Sequence, residues 1–183
     1  MKLMEIIDKR RAYRSLGPAQ IDESLVRDLA AAASLSASCF NKQPWRYVFA
    51  FSKEVLERLQ GAINKGNEWT RAASMIIAVV SRRDLDCLVK EREYYLFDTG
   101  MATAFLILRA TELGLVAHPI AGFDEDKAKE ILGIPADMRL ITLVNIGAHL
   151  LPVNSLLNEQ QAEIEKARPE RLPLSEIMRI NKF

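Results

Sequence analysis

Two periods of apolar residues alternate along this chain, and the switches between them mark out its elements. Leu3, Met4, Ile6 and Ile7, set among Glu5, Asp8 and Lys9, have the spacing of a short amphipathic helix. Behind Asp22, an N-cap by residue type, Leu25, Val26, Leu29, Ala30 and Ala33 repeat with a helical period. The run Tyr47, Val48, Phe49, Ala50, Phe51 is β-prone, and Ser52 then caps a helix striped by Val55, Leu56, Leu59 and Ile63 that dissolves at Gly66. Met75 to Val80 and Leu140 to Ile146 are continuous apolar runs, the signature of strands covered on both faces. Between the first of these and Tyr94, residues 82–93 are charged and carry no readable period.

The longest helix candidate runs from Tyr94 to Leu115, and Met101, Ala102, Ala104, Phe105, Leu106, Ile107, Leu108 and Ala110 leave it almost no polar face. Such a helix is buried nearly all round, either at the centre of a domain or at a subunit interface. Gly114 ends it, and Val116 to Phe123 form an extended segment and a turn. There Gly122 either lets backbone approach a ligand or simply makes the turn. Asp124 caps a helix that stops at Gly133-Ile134-Pro135, and His149 follows the second buried strand in a loop, where a structural role is expected. From Asn154 to Phe183 the chain is polar, with a charged helix around Glu159 to Lys166 and a strand-like end. A tail this poor in apolar residues makes no core of its own and is expected to lie along another surface.

Two stretches carry candidate chemistry. Ser36 to Trp45 passes from small and polar residues through Asn41, Gln43 and Pro44 into the first strand, and Pro44 should bias Gln43 toward extended backbone. The carboxamides of Asn41 and Gln43 offer donors and acceptors for the edge of a planar heterocycle, although a loop of this composition is also an ordinary turn. Arg10, Arg11 and Arg14, at the end of the first helix, can converge on one anion such as a phosphate monoester, or form a solvated basic tip at the negative end of the helix dipole.

Composition narrows the field. With 183 residues and 49% apolar content the chain is long enough for one sizeable core, so one domain is expected. Its 25 basic and 24 acidic residues nearly cancel, which argues against nucleic acid or a membrane surface and makes any phosphate binding local. Cys39 and Cys87 are the only cysteines and His118 and His149 the only histidines, so neither a zinc-type ligand spacing nor a disulfide framework is expected. A reducing cytoplasm suits that inventory, and no signal peptide or membrane-length apolar run is apparent.

Taken together, the pieces resemble the nitroreductase family of FMN-dependent oxidoreductases over nearly the whole chain. The resemblance rests on Arg10-Arg11-x-x-Arg14, Ser38-x-x-Asn41-x-Gln43-Pro44-Trp45, the helix from Asp98, Gly114-Leu115 leading to Ala121-Gly122-Phe123-Asp124, Leu132-Gly133-Ile134-Pro135, and Arg171-Leu172-Pro173-Leu174. It implies an α+β fold, a mainly antiparallel sheet flanked by helices, in an intertwined homodimer. Residues 1–183 would form one FMN-binding domain whose 154–183 extension wraps the partner. It also implies that Arg10, Arg11, Arg14 and Arg171 hold the FMN phosphate and that Ser38, Cys39 and Asn41 reach the flavin from the other subunit. Pro119, Ile120, Ala121 and Gly122 would line the isoalloxazine. Ala12 stands where the family usually has a hydroxyl residue, Cys39 where a second serine is common, Ala121 where Glu or Gly is common, and Pro169 where Lys is frequent, with Arg168 placed to substitute.

The implied activity is hydride transfer from NADH or NADPH to a small acceptor, nitroaromatic or quinone, by a ping-pong scheme. No catalytic side chain and no metal is called for, since the flavin carries the chemistry. The alternative from another class is a protein that stores, senses or degrades flavin without reducing an external substrate.

Overall fold

The computed structural model describes residues 2–183. In chain order the helices are α1 (Leu3–Lys9), α2 (Glu23–Ser34), α3 (Lys53–Leu59), α4 (Tyr94–Glu112), α5 (Glu125–Leu132), α6 (Glu159–Lys166) and α7 (Leu174–Ile177). The strands are β1 (Leu16–Gly17), β2 (Arg46–Ala50), β3 (Met75–Ser81), β4 (Leu88–Val89), β5 (Arg92–Glu93), β6 (Leu115–Ile120) and β7 (Arg139–His149). This is an α+β fold whose main sheet is antiparallel throughout.

β7 is the spine of that sheet. Along one edge it pairs with β6, from Leu115 opposite Ala148 to Ile120 opposite Leu143. Along the other it pairs first with β3 and then, at His149 and Ala148, with the short β1, while β2 closes the sheet beyond β3. The strand is longer than its apolar run suggested and includes His149, which the sequence reading had put in a loop. Its imidazole stacks on Tyr13 with ring centroids 3.8 Å apart, and Nε2 lies 3.8 Å from the Glu165 carboxylate.

Two-sided burial explains the continuous apolar runs. On β3, Ile76, Ala78 and Val80 face one core with Leu59, Ala62, Trp69 and Ala128, supplied by α3, α5 and the segment between α3 and β3. Met75, Ile77 and Val79 face the opposite way, toward Leu29 and Ala33 of α2 and Ala102, Leu106 and Ala110 of α4. Caps set the helix ends as the residue types dictate: Asp22 accepts from the Leu25 amide at 2.8 Å, Asp124 from that of Lys127 at 3.1 Å, and Gly133 leaves α5 at φ +65°.

α4 is not buried all round within this chain. Its covered face is Asp98, Thr99, Ala102, Thr103, Leu106 and Ala110, while Leu96, Phe97, Phe105 and Leu113 lie open. The end of the tail is also not a strand but the single turn α7. Residues 82–93 hold a 3-10 turn and the β4–β5 hairpin, whose tip Lys90-Glu91 has both residues at positive φ. No helix among the described residues is long and apolar enough to cross a membrane.

The absence of a disulfide, expected from the sparse cysteines, is overturned. Cys39 and Cys87 are bonded, with Cα atoms 6.0 Å apart. Their separation of 48 residues fits no local motif, so only the fold brings them together.

The two-sided core makes a direct prediction. Ile77 is fully buried on the central β3, and Ile77→Ala should lower the free energy of unfolding by about 2–5 kcal/mol, read from the midpoint of a urea titration at unchanged slope.

Candidate functional site

The arginines called from the sequence do meet. Arg10, Arg11, Arg14 and Arg171 line one cavity of about 310 Å³, joined by Arg168, Pro169, Ala12, His118, Ile164 and Glu165. α1 ends at Arg10, the chain then runs extended toward β1, and the strap after α6 closes the far wall with Arg168 and Arg171. Ile6 is the one buried side chain of α1, so the helix is seated by a single residue while its end is fixed by the arginines.

These guanidiniums differ in their commitments. Arg11 donates to the hydroxyl of Tyr13 at 3.1 Å and to the carbonyls of Ile164, Glu165 and Ala167 at 3.1, 3.3 and 2.7 Å, so it straps the tail to the N-terminal segment. Arg168 reaches the carbonyls of Asp8 and Arg10 at the end of α1. Among the described residues, Arg10, Arg14 and Arg171 are in no salt bridge. Burial lowers the pKa of Arg10, and the charges of Arg168 and Arg171 lower it further. Like charges gathered in one pocket with free donors are what a polyvalent anion relieves.

Glu165 is the one carboxylate lining this cavity, and it is turned to other work. Its oxygens accept from the backbone amides of Arg14 at 2.9 Å and Ser15 at 3.3 Å, which docks α6 on the segment entering β1. His118, on β6, is held by a hydrogen bond from Nδ1 to the Tyr13 carbonyl at 3.0 Å and packs on Trp69. Burial pushes its pKa down from 6.5, more than the Tyr13 carbonyl raises it, and the Arg14 charge lowers it further. Sequence reasoning missed both Glu165 and His118 as site residues, because a glutamate in a charged helix and a lone histidine carry no signal until the fold buries them.

A second cavity, of about 370 Å³, shares Arg10 and Ala12 with the first and continues along Ile7, Ala104, Ile107, Leu108, Ala117 and Pro119. The cationic pocket therefore opens onto an apolar floor made by α4 and β6. Of the four residues called for that wall, Pro119 and Ala121 face outward, whereas Ile120 turns into the core. At Gly122 a Cβ would meet the Asn67 amide at 2.4 Å, so the bareness of this position admits Asn67.

Ser38, Cys39 and Asn41 are not among the residues lining the arginine cavity. They sit on the exposed loop before β2, where Phe40, Asn41 and Gln43 all adopt positive φ, at 47°, 55° and 50°. Gln43 is thus not extended, despite the proline that follows it. Each such residue costs on the order of 1–3 kcal/mol unless neighbours over-determine it. Here they do: Ser38 Oγ accepts from the Gln43 amide at 2.9 Å, Gln43 Nε2 donates to Asn41 Oδ1 at 3.2 Å, and Ser81 Oγ donates to the Pro44 carbonyl at 2.9 Å. Cys39 gives its amide to Asp98 Oδ2 at 2.6 Å, and its sulfur is in the disulfide rather than free for a ligand.

An antiparallel five-stranded sheet carrying a cationic pocket that opens onto an apolar floor defines an α+β protein built to hold an anionic, partly apolar ligand. Comparison with known proteins gives the family. The model of the nitroreductase family matches residues 7–73 and 63–148, and the chain belongs to that family. An uncharacterised 15.4 kDa protein of Mycolicibacterium smegmatis is 33% identical over 124 residues, 68% of this chain and 81% of that one. A protein of Archaeoglobus fulgidus with a provisional NADH dehydrogenase/NAD(P)H nitroreductase name is 24% identical, over 79% of this chain and 83% of its own. Among solved structures, an oxidoreductase containing FMN superimposes with a TM-score of 0.83 at 26% identity, covering 97% of this chain and 91% of the other. A nitroreductase family protein from Clostridium novyi NT gives 0.75 at 27%, covering 81% and 87%.

His118 supplies a pH prediction. Its folded pKa lies below the ordinary 6.5, so between the two values the unfolded chain binds more protons and stability rises with pH. Lowering the pH from 7.5 through 6.5 and on toward the depressed folded value should therefore cost stability. His118→Asn, which keeps a donor for the Tyr13 carbonyl, should flatten that slope in thermal melts taken across the same range.

Proposed function

We propose that this chain is an FMN-dependent oxidoreductase that moves hydride from NADH or NADPH to a small organic acceptor, such as a nitroaromatic or quinone, in a ping-pong cycle, working in the cytoplasm as a homodimer. The observation that carries the reading is the arginine cavity, whose unpaired guanidiniums suit a terminal phosphate and whose shared wall at Arg10 and Ala12 leads onto an apolar floor suited to a flat ring system. Bound FMN would accept hydride from the nicotinamide and pass it to the acceptor.

What the protein itself supplies is placement. Arg10, Arg14 and Arg171 hold the phosphate by charge-assisted hydrogen bonds, and Arg168 adds its charge where Pro169 offers none. Arg11 acts at one remove, by fixing the strap that carries Arg168 and Arg171. His118, kept neutral, gives the pocket a wall without a further cation. The absence of a hydroxyl at Ala12 is offset by the number of guanidiniums. Pro119 and Ala121 present the edge of β6 to the ring. Ser38, Asn41 and the backbone of Cys39 approach the flavin site of a second copy, their loop being stiff, exposed and apart from this chain's own arginine cavity. Asn41 cannot titrate, so its part is to hydrogen-bond a ring edge and tune it.

A second copy also accounts for surface that one chain leaves bare. Met4 is 71% exposed, Phe97 61% and Phe40 88%, and the tail adds Leu172, Leu174, Ile177 and Ile180. Apolar area on this scale marks an interface. We place the 154–183 extension of a single domain along the partner.

Three measurements test this. Sedimentation at micromolar concentration should give a dimer, with an interface above roughly 2,000 Å² when the pair is solved. Arg14→Ala and Arg171→Ala should each weaken FMN binding by about 1.5–3 kcal/mol, and unchanged retention in Arg10→Ala, Arg14→Ala and Arg171→Ala alike would move the phosphate elsewhere. Rapid mixing with NADH or NADPH should bleach bound flavin, and a quinone should then restore its colour. Bleaching no faster than that of free FMN would sink the reductase reading.

A further inference from the structure

We propose that Cys39 and Cys87 form a reversible thiol–disulfide exchange site, served by the carboxyl of Asp86, through which a low-molecular-weight thiol sets the mobility of the 38–43 loop. These are the chain's only two cysteines, so the pair can open and close without reshuffling to a wrong partner. Both residues are half-exposed, which gives an attacking thiolate access.

What sets this crosslink apart from an inert staple is its neighbour. A carboxylate oxygen of Asp86 lies within 4.8 Å of both sulfurs. Asp86 is 9% exposed; one of its oxygens accepts from the Cys87 amide at 2.8 Å, the other, Oδ2, is buried, and the side chain meets the Asp98 carboxyl. A buried carboxyl beside a second carboxyl costs free energy, and a structural disulfide has no need of one. Burial raises the pKa of this group more than the bond from the Cys87 amide lowers it, and the neighbouring Asp98 raises it further, which shifts the balance toward the protonated carboxyl. Thiol–disulfide exchange uses such a group. The incoming thiolate bonds to one sulfur, the Cys39–Cys87 bond breaks, and the displaced sulfur leaves as a thiolate that takes the proton from Asp86. A second thiolate then attacks the first thiol's sulfur in the mixed disulfide, the other protein sulfur leaves as a thiolate, and of the two protons that the external thiols gave up one goes to that thiolate and one back to Asp86. Two external thiols become one external disulfide, and the protein gains two thiols.

The consequence reaches the loop because Cys39 opens the strained turn. Phe40, Asn41 and Gln43 hold positive φ only while the turn's ends are fixed, and the crosslink to the segment before β4 is one of those fixings, beside the bond from the Cys39 amide to Asp98. Reduction removes it and leaves the hydrogen bonds. Under the reading proposed above, this loop serves the flavin of a second copy, so the redox state of the pair would adjust flavin retention.

The test equilibrates the full 183-residue chain in graded mixtures of reduced and oxidised glutathione, then counts free thiols in denaturant and follows amide hydrogen exchange at residues 38–43. Thiols should rise reversibly from none to two per chain, the cysteine content, with faster exchange at the loop. Cys87→Ser should show the fast exchange even in oxidising buffer. Asp86→Asn should leave the end points in place but slow reduction by about a hundredfold, the low end of what a positioned acid supplies. Two free thiols in the oxidising mixture, a bound zinc ion held by both cysteines, or loop exchange indifferent to reduction would each overturn the proposal. Counting sulfurs and amides needs no flavin, so failure here and failure of the reductase reading are separable.

Discussion

Every part of the candidate site hangs from β7. Its edges are occupied by β6 on one side and by β3 and β1 on the other, so this one strand fixes three pieces of chain that are far apart in sequence. β6 carries His118 and Pro119. β1 anchors the segment with Arg10 and Arg14, and β3 ends at Ser81, whose hydroxyl holds Pro44 at the base of the strained loop. Both faces of the strand are covered, which permits almost no slippage, because a shift of one residue would send Leu143 and Val144 to each other's core. Register here is a requirement for the site as much as for stability.

Charge is the second constraint, and it acts against the fold. Two like charges about 6 Å apart at an effective dielectric near 20 repel by roughly 3 kcal/mol, and this pocket gathers five arginines. The chain offsets part of that cost with carbonyls. Arg11 and Arg168 spend their donors on the backbone of the strap and of the end of α1, turning two of the cations into fasteners. Glu165 fastens the same strap through the amides of Arg14 and Ser15. The remaining three cations stay unpaired, and a phosphate would meet a pocket already organised to receive it.

How much of this could be read from the sequence follows from the range of each interaction. Strands β3 and β7, the caps Asp22, Ser52 and Asp124, and the stop at Gly133 were legible because a few neighbouring residues determine them. Arg10, Arg11 and Arg14 were legible as a local cluster, but Arg171 only through the family likeness, since nothing local brings it to Arg14. Not legible were the commitment of Arg11 to the tail, the docking of Glu165, and the pairing of Cys39 with Cys87. Each joins segments tens of residues apart, where no period or spacing carries information. Gln43 was misread for the opposite reason: the local rule for a residue before proline is sound, but Ser38, Asn41 and Ser81 together outweigh it.

Composition left two settings for α4, the centre of a domain or a subunit interface, and within one chain the helix is not enclosed. Its covered face includes Asp98, Thr99 and Thr103, while Phe97 and Phe105 lie open. Two of these polar residues have work: Asp98 holds the Cys39 amide, and Thr103 bonds to Tyr47 and to the Thr99 carbonyl, while the Thr99 hydroxyl has no partner among the described residues. The apolar residues left outside have no such internal task, and the same holds for Leu3 and Met4 on α1, which packs against α4. A helix that spends its buried face on positioning and leaves its aromatic residues bare is arranged to be completed from outside. The strained loop, the open face of α4 and the long tail are the three features on which the proposal of a second copy rests.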